Sequence, residues 1–319
     1  MRPRTFVVSA TLTALLTVTL AACSGKDSAP DAAIPSGVAL GDFAGLVDIG
    51  GRHLYLECRG TGSPTVIAES GLLNAGDTWA MAEASHGPAV DPGIVPLTRL
   101  CTYDRPGTAL NTAPPTLGRS DAAPMPRTAA DVVADLHALL TAARVPTPYV
   151  LVGHSLGGTF VRLYASTYPD QVAGMVLEDA SLLDLLQARL TPRQWDGLRQ
   201  LLRTPSIPLF DDTGNLERYD VDVSVTQLRA APPLPNIPMV VLSASQQDPL
   251  PYPRPTGAVL DFDTAYAAHR NHQDDVAALV PGARHIIAPT GHYVHSERPD
   301  LVIEAVRHVV DLTHALSPR

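Results

Sequence analysis

Residues 153–158 read Gly-His-Ser-Leu-Gly-Gly, which makes Ser155 the side chain best placed to act as a nucleophile. The hexapeptide follows the apolar run Tyr149–Val152 and precedes a helix-patterned run, Thr159–Tyr168. Between a strand and a helix the glycines permit a sharp turn that lifts the serine hydroxyl clear of the sheet. The N–H of the next residue, Leu156, then points where a tetrahedral oxyanion forms. G-x-S-x-G alone arises by chance; the strand before it and the helix after it make it specific.

A serine hydroxyl is a weak nucleophile and needs a general base. With eleven histidines in the chain, position must decide. His292, in Gly291-His292, lies one loop after the strand-like Arg284–Ala288, and an elbow of this kind takes its base after the last strand. His295 is the nearest competitor, read as a surface or supporting group. The orienting acid has two candidates. Asp179 ends the apolar run Gly174–Glu178, and Asp248 follows Met239–Ser243. Asp179 is preferred because a strand end fixes it, whereas Asp248 hangs on the proline-rich DPLPYPRPTG. For either aspartate the plain alternative is a solvated loop carboxylate or a helix cap.

These residues need a scaffold of alternating strands and helices. Leu46–Ile49 and His53–Cys58, joined by Gly50-Gly51, predict a hairpin, and Thr65–Glu69 and Leu100–Tyr103 predict buried strands. Val132, Val133, Leu136, Leu139 and Leu140 recur at three and four residues, which predicts a helix over 128–143 with Thr128 as N-cap and Asp131 three residues on. A last helix runs from about Pro299 to Leu316. Strands alternating with helices predict an α/β fold, a mostly parallel, doubly wound sheet. Between 181 and 237 no βα unit is legible. LLDLLQARL and PRQWDGLRQLL are helix-patterned there, and this insertion reads as a helical lid.

The composition fits one enzyme-sized domain. The 319 residues are 45% hydrophobic and 17% charged, with a formal net charge of −9. No Lys/Arg run follows the first four residues, which argues against nucleic acid as a partner. No HExxH or H-x-x-E-H spacing occurs, so neither a metal nor a cofactor is expected.

Arg2 and Arg4 precede a charge-free run from Phe6 to Leu20, too short for a transmembrane helix and patterned as an export signal. It ends in Leu20-Ala21-Ala22-Cys23, which resembles the lipobox of bacterial lipoproteins. That resemblance implies a signal peptide over 1–22, a lipid on Cys23, and attachment to the outer face of the cell membrane. Residues 23–45, small, polar and proline-spaced, read as a tether, and 46–319 as the domain. The remaining cysteines, Cys58 and Cys101, are a candidate disulfide in an exported protein or two buried thiols.

The stretches GGRHLYLECRGTGSPTVIAESG, CTYDRPG, RTAADVVADLHALL, YVLVGHSLGGTFVRLYASTYPDQVAGMVLEDAS and GHYVHSERPDLVIEAVRHVV together resemble the α/β-hydrolase superfamily, in particular its exported actinobacterial-type members. The resemblance spans about residues 47–312 and is strongest in the central block. It implies a Ser155–His292 pair completed by an aspartate, with Asp248 at the commoner place for the acid and Asp179 at the strand end that some members use, a second oxyanion donor at the Leu72 N–H, and a Cys58–Cys101 disulfide, because the second and fourth strands of that fold are neighbours. Two departures stand out. Ser70-Gly71 replaces a common His-Gly, and Asp104–Pro114 lacks the usual G-x-G-x-S-D.

The function this implies is hydrolysis of a small-molecule carboxylic ester through an acyl-enzyme, by a monomer. Acyl transfer or peptide hydrolysis would use the same apparatus, and cofactor-free peroxidase-type chemistry also occurs on this fold. A lipid-anchored binding protein on a catalytically dead hydrolase fold is the alternative from another class, against which stand the retained serine and histidine.

Overall fold

Short apolar runs with β-branched residues form the interior strands, because both faces of each must be covered. The computed structural model describes residues 41–83, 86–204, 216–246 and 262–316. Eight strands make one sheet: β1 (Phe43–Asp48), β2 (His53–Arg59), β3 (Thr65–Glu69), β4 (Leu100–Tyr103), β5 (Tyr149–His154), β6 (Val172–Glu178), β7 (Met239–Ala244) and β8 (Arg284–Ala288). Their order is β1-β2-β4-β3-β5-β6-β7-β8. The β1–β2 and β2–β4 pairs are antiparallel and every later pair is parallel. β1 starts at Phe43, paired with Cys58, so the sheet takes up three residues expected in the tether. A separate two-residue ladder pairs Ala109–Leu110 with Thr116–Leu117.

The helices are α1 (Ala129–Ala142), α2 (Leu156–Thr167), α3 (Leu183–Arg189), α4 (Pro192–Arg203), α5 (Val221–Ala230), α6 (Phe262–Ala277) and α7 (Pro299–Leu316). Thr128 and Asp131 cap α1 reciprocally, side chain to backbone in both directions, as the sequence predicts. α2 starts at Leu156, three residues before its expected start, so the helix begins at the residue that follows Ser155.

The strand pleat divides the core into two layers. On one face Leu56, Ile67, Leu151, Leu177 and Val241 pack with α1 and α2. On the other Val66, Val150, Val152, Val176 and Val240 pack against α7 and a helical turn at Val90–Ile94. The strands are therefore sandwiched between helical layers, and their C-terminal ends carry the connecting loops that hold the site.

The described part of the 181–237 segment, 181–204 and 216–237, contains α3, α4 and α5. Leu183, Trp195, Leu202, Tyr219, Val225 and Leu228 are buried within the first layer. Cys58 and Cys101 are directly opposite in the β2–β4 register and form a disulfide, with Cα atoms 4.1 Å apart. Among the described residues no helix is long and apolar enough to cross a membrane. Cys23 and Asp248 lie outside the described residues.

Candidate active site

Ser155 sits between the end of β5 and the first turn of α2 with φ 51° and ψ −124°, a conformation a residue with a Cβ adopts only under strain. The surroundings enforce it. The Ser155 N–H donates to the Glu178 carbonyl at 3.0 Å, and the Ser155 carbonyl accepts from the Ser181 N–H at 2.7 Å. At position 157 only glycine fits, since a Cβ there would stand 2.5 Å from the Glu69 carbonyl oxygen and 2.6 Å from that of Ser70. The loop after β3 thus lies directly on the elbow. A Cβ on Gly71 would come within 3.2 Å of the Ser155 Cβ. Leu72 follows in that loop. Leu156 is the first residue of α2, where helix geometry supplies no intrahelical acceptor for its N–H.

Asp179 leaves β6 with a left-handed φ of 39°. Two bonds lock it to β7: its N–H donates to the Leu242 carbonyl at 2.7 Å, and its Oδ1 accepts from the Ala244 N–H at 3.0 Å. Its Oδ2 lies 2.5 Å from His292 Nδ1. A carboxylate only accepts, so Nδ1 carries the hydrogen and the imidazole presents Nε2 as its basic nitrogen. Burial alone would raise the Asp179 pKa. The adjacent His269 and His292 outweigh burial and hold the carboxyl well below the usual carboxylate range.

The loop bearing His292 is fastened from beneath. His154 Nε2 lies 2.9 Å from the His292 carbonyl and donates to it. Glu178 Oε1 accepts both the His295 N–H and the His295 Nδ1–H, each at 2.7 Å. His295 Nε2 is 3.1 Å from the Thr78 hydroxyl. His295 is therefore a buried strut of the site and not a surface group. Each member of this lower set stands close in sequence to a member of the upper one: 154 beside 155, 178 beside 179, 295 near 292. Alternation along β5 and β6 sends neighbouring residues to opposite sides, which produces the doubling. Burial, with His295 and His292 close by, pushes His154 well below its ordinary pKa.

Two features were invisible to sequence reasoning. The first is Arg105, in the segment that departs from G-x-G-x-S-D. Its guanidinium is fully buried and donates to Glu69 Oε1 (2.5 Å), the Ser70 carbonyl (2.9 Å), the Gly71 carbonyl (2.7 Å) and Glu217 (2.9 and 3.0 Å). Glu217 also accepts from the Leu73 N–H. Arg105 thereby ties the loop carrying Leu72 to the strip before α5. Burial works against its charge, but Glu217, Tyr219 and Glu69 raise its pKa well above the ordinary value.

The second is His269 on α6. Its Nε2 lies 3.1 Å from Asp179 Oδ2, the same oxygen that holds His292. Nothing in the spacing of the sequence links position 269 to 179; the contact exists only because α6 packs over the end of β6. Among the described residues two groups bring donor atoms within 4.8 Å of one another in a way that suits a metal ion: His154, Glu178 and His295, all buried, and Asp179, His269 and His292.

A family model described as alpha/beta hydrolase fold matches residues 76–213. Among curated proteins, the chain is 26% identical over 211 residues to a probable transporter, efuK, of Hormonema carpetanum, covering 58% of this chain and 28% of that one. It is 30% identical over 136 residues to the uncharacterized protein YqjL of Bacillus subtilis, covering 43% of this chain and 47% of that one. The matched part thus spans between about a quarter and a half of these relatives' lengths. Among solved structures, a putative lipase from Acinetobacter baumannii superposes with a TM-score of 0.53 at 17% identity, covering 87% of this chain and 93% of that one. A thermophilic esterase from Thermogutta terrifontis gives 0.51 at 18%, covering 85% and 99%. The haloalkane dehalogenase DatA from Agrobacterium tumefaciens gives 0.54 at 16%, covering 87% and 99%.

Proposed function

Because this chain is an α/β-hydrolase by fold, we propose that it is a serine hydrolase that cleaves carboxylic esters through an acyl-enzyme. One observation carries the reading: the 2.5 Å Asp179–His292 contact is built beside a serine held at a strained strand–helix elbow. Ser155 Oγ attacks the ester carbonyl while His292 Nε2 takes its proton. Asp179 holds the imidazole in the required tautomer and stabilises the imidazolium. The N–H groups of Leu72 and Leu156 receive the oxyanion, and the imidazolium protonates the departing alcohol. Water, activated by the same imidazole, then releases the acid. No metal or cofactor is called on in these steps.

The helices of 181–237 act as a lid, with Arg105 and Glu217 as the tie between lid base and oxyanion loop. The protein is exported and held on the outer face of the membrane by a lipid on Cys23, and works as a monomer on a small-molecule ester. The fold is compatible with other chemistry, since a dehalogenase shares it. The test is therefore a substrate panel: short p-nitrophenyl esters should be hydrolysed, and Ser155→Ala should lose at least about 10³-fold in kcat. A mutant that keeps wild-type turnover, or a wild type inert toward every ester tested, would end the proposal.

A further inference from the structure

Asp179 Oδ2 is approached by two imidazoles, His292 Nδ1 at 2.5 Å and His269 Nε2 at 3.1 Å. A triad needs one. Two imidazoles and a carboxylate converging on one point are a donor set suited to a first-row transition ion, zinc above all. The set is partly open, with the aspartate side chain 1% exposed, His269 12% and His292 27%, so an ion has a route past His292.

We propose that Asp179, His269 and His292 form an inhibitory site for a zinc-class divalent ion. The inhibitory part rests on the esterase reading; the binding part does not. Tetrahedral zinc with ligands at about 2.0–2.1 Å sets donor atoms roughly 3.3 Å apart. The His269–Asp179 separation of 3.1 Å is already close to this, the 2.5 Å His292–Asp179 separation must open, and all three donors already lie within 4.8 Å of one another. The movement falls to the His292 side chain, because Asp179 is pinned to β7 through Leu242 and Ala244 and the His292 backbone is held by His154.

Coordination consumes a lone pair on His292 Nδ1 and on His269 Nε2, so each neutral ring moves its hydrogen to the other nitrogen. On His269 that hydrogen points from Nδ1 toward Ser181 Oγ, 3.5 Å away, an oxygen able to accept it. On His292 the hydrogen moves to Nε2, the atom that must receive the Ser155 proton. The bound ion therefore locks the base in the tautomer that cannot work. No bond to Ser155 is needed.

The experiment titrates zinc chloride into the purified, folded protein by calorimetry, in parallel with p-nitrophenyl ester hydrolysis. Expected are one zinc per chain, inhibition reversed by a chelator, and no inhibition by millimolar magnesium or calcium, which prefer oxygen donors. Ser155→Ala should bind zinc as the wild type does, which separates binding from any failure of the esterase reading. His269→Gln should weaken zinc binding by more than about 100-fold, since losing even an outer-sphere partner costs 10–100-fold. Should His269→Gln fail to fold by thermal melting, Asp179→Asn replaces it and must show the same loss. Unchanged zinc binding in the variants, binding abolished instead by His295→Gln, or no zinc binding by the wild type would overturn the site. Zinc bound with full turnover would overturn its inhibitory role.

Discussion

Replacing Asp179 by Asn separates the carboxylate's charge from its position. Asn suits the φ of 39° better than most side chains, and its carbonyl oxygen can keep the Ala244 N–H bond. What changes is the edge facing the histidines, where an NH2 group now confronts the Nδ1–H of His292. The imidazole must turn or adopt the opposite tautomer, and Nε2 ceases to be basic. At an effective dielectric of about 20, unit charges separated by the observed 2.5 Å attract by roughly 6–7 kcal/mol. His292 keeps 27% of its side chain exposed, so solvent screening reduces this to about 4–5.5 kcal/mol. At 1.36 kcal/mol per tenfold, kcat should fall by about 10³–10⁴ while KM stays within a few-fold. Steady-state kinetics on a p-nitrophenyl ester, alongside the thermal midpoint of each protein, is the assay. A folded Asp179→Asn enzyme within about tenfold of wild type would refute the assignment of Asp179 as the acid.

Under denaturing conditions Cys58 and Cys101 should alkylate only after reductant is added; at a sequence separation of 43, opening the bridge costs about 4 kcal/mol and should lower the thermal midpoint by roughly 8 °C or more. Arg105→Met should strand Glu69 and Glu217 as buried unpaired carboxylates, costing about 3–5 kcal/mol and at least about 6 °C; a midpoint within about 2 °C of wild type would remove Arg105 from its structural role. In cells, Cys23→Ala should shift the protein from the membrane fraction to the medium or to an uncleaved precursor, and unchanged fractionation and mature mass would dismiss the anchor.

What the sequence made legible was whatever local pattern determines. β3, β5 and β7 are apolar runs that only a covered sheet accommodates, and Gly-His-Ser-Leu-Gly-Gly encodes its elbow through glycines that close backbone approach requires. The Asp179–His292 contact was reachable because Asp179 ends a strand, and a strand end has a fixed place in the fold. Boundaries slipped where patterning is weak. β1 opens with Phe43, Ala44 and Gly45, which alternate too faintly to declare a strand, and the first turn of α2 holds Gly157 and Gly158 after Leu156, poor helix formers retained for tight packing. His269 and Arg105 were beyond reach because Asp179 lies 90 residues from the first and Glu217 112 residues from the second, and no spacing rule connects them. For His295 the choice between a surface and a supporting place is open in the sequence for a related reason: its burial depends on Glu178 and Thr78, brought under the loop by tertiary packing.

Every step of the proposed chemistry depends on Ser155 as the nucleophile. A fluorophosphonate probe incubated with the purified protein, followed by proteolysis and mass spectrometry, reports covalent attack directly and needs no knowledge of the substrate. The prediction is one adduct per chain, located on Ser155, absent from Ser155→Ala and strongly slowed in Asp179→Asn. Labelling elsewhere, or no labelling of a folded wild-type protein, would contradict it.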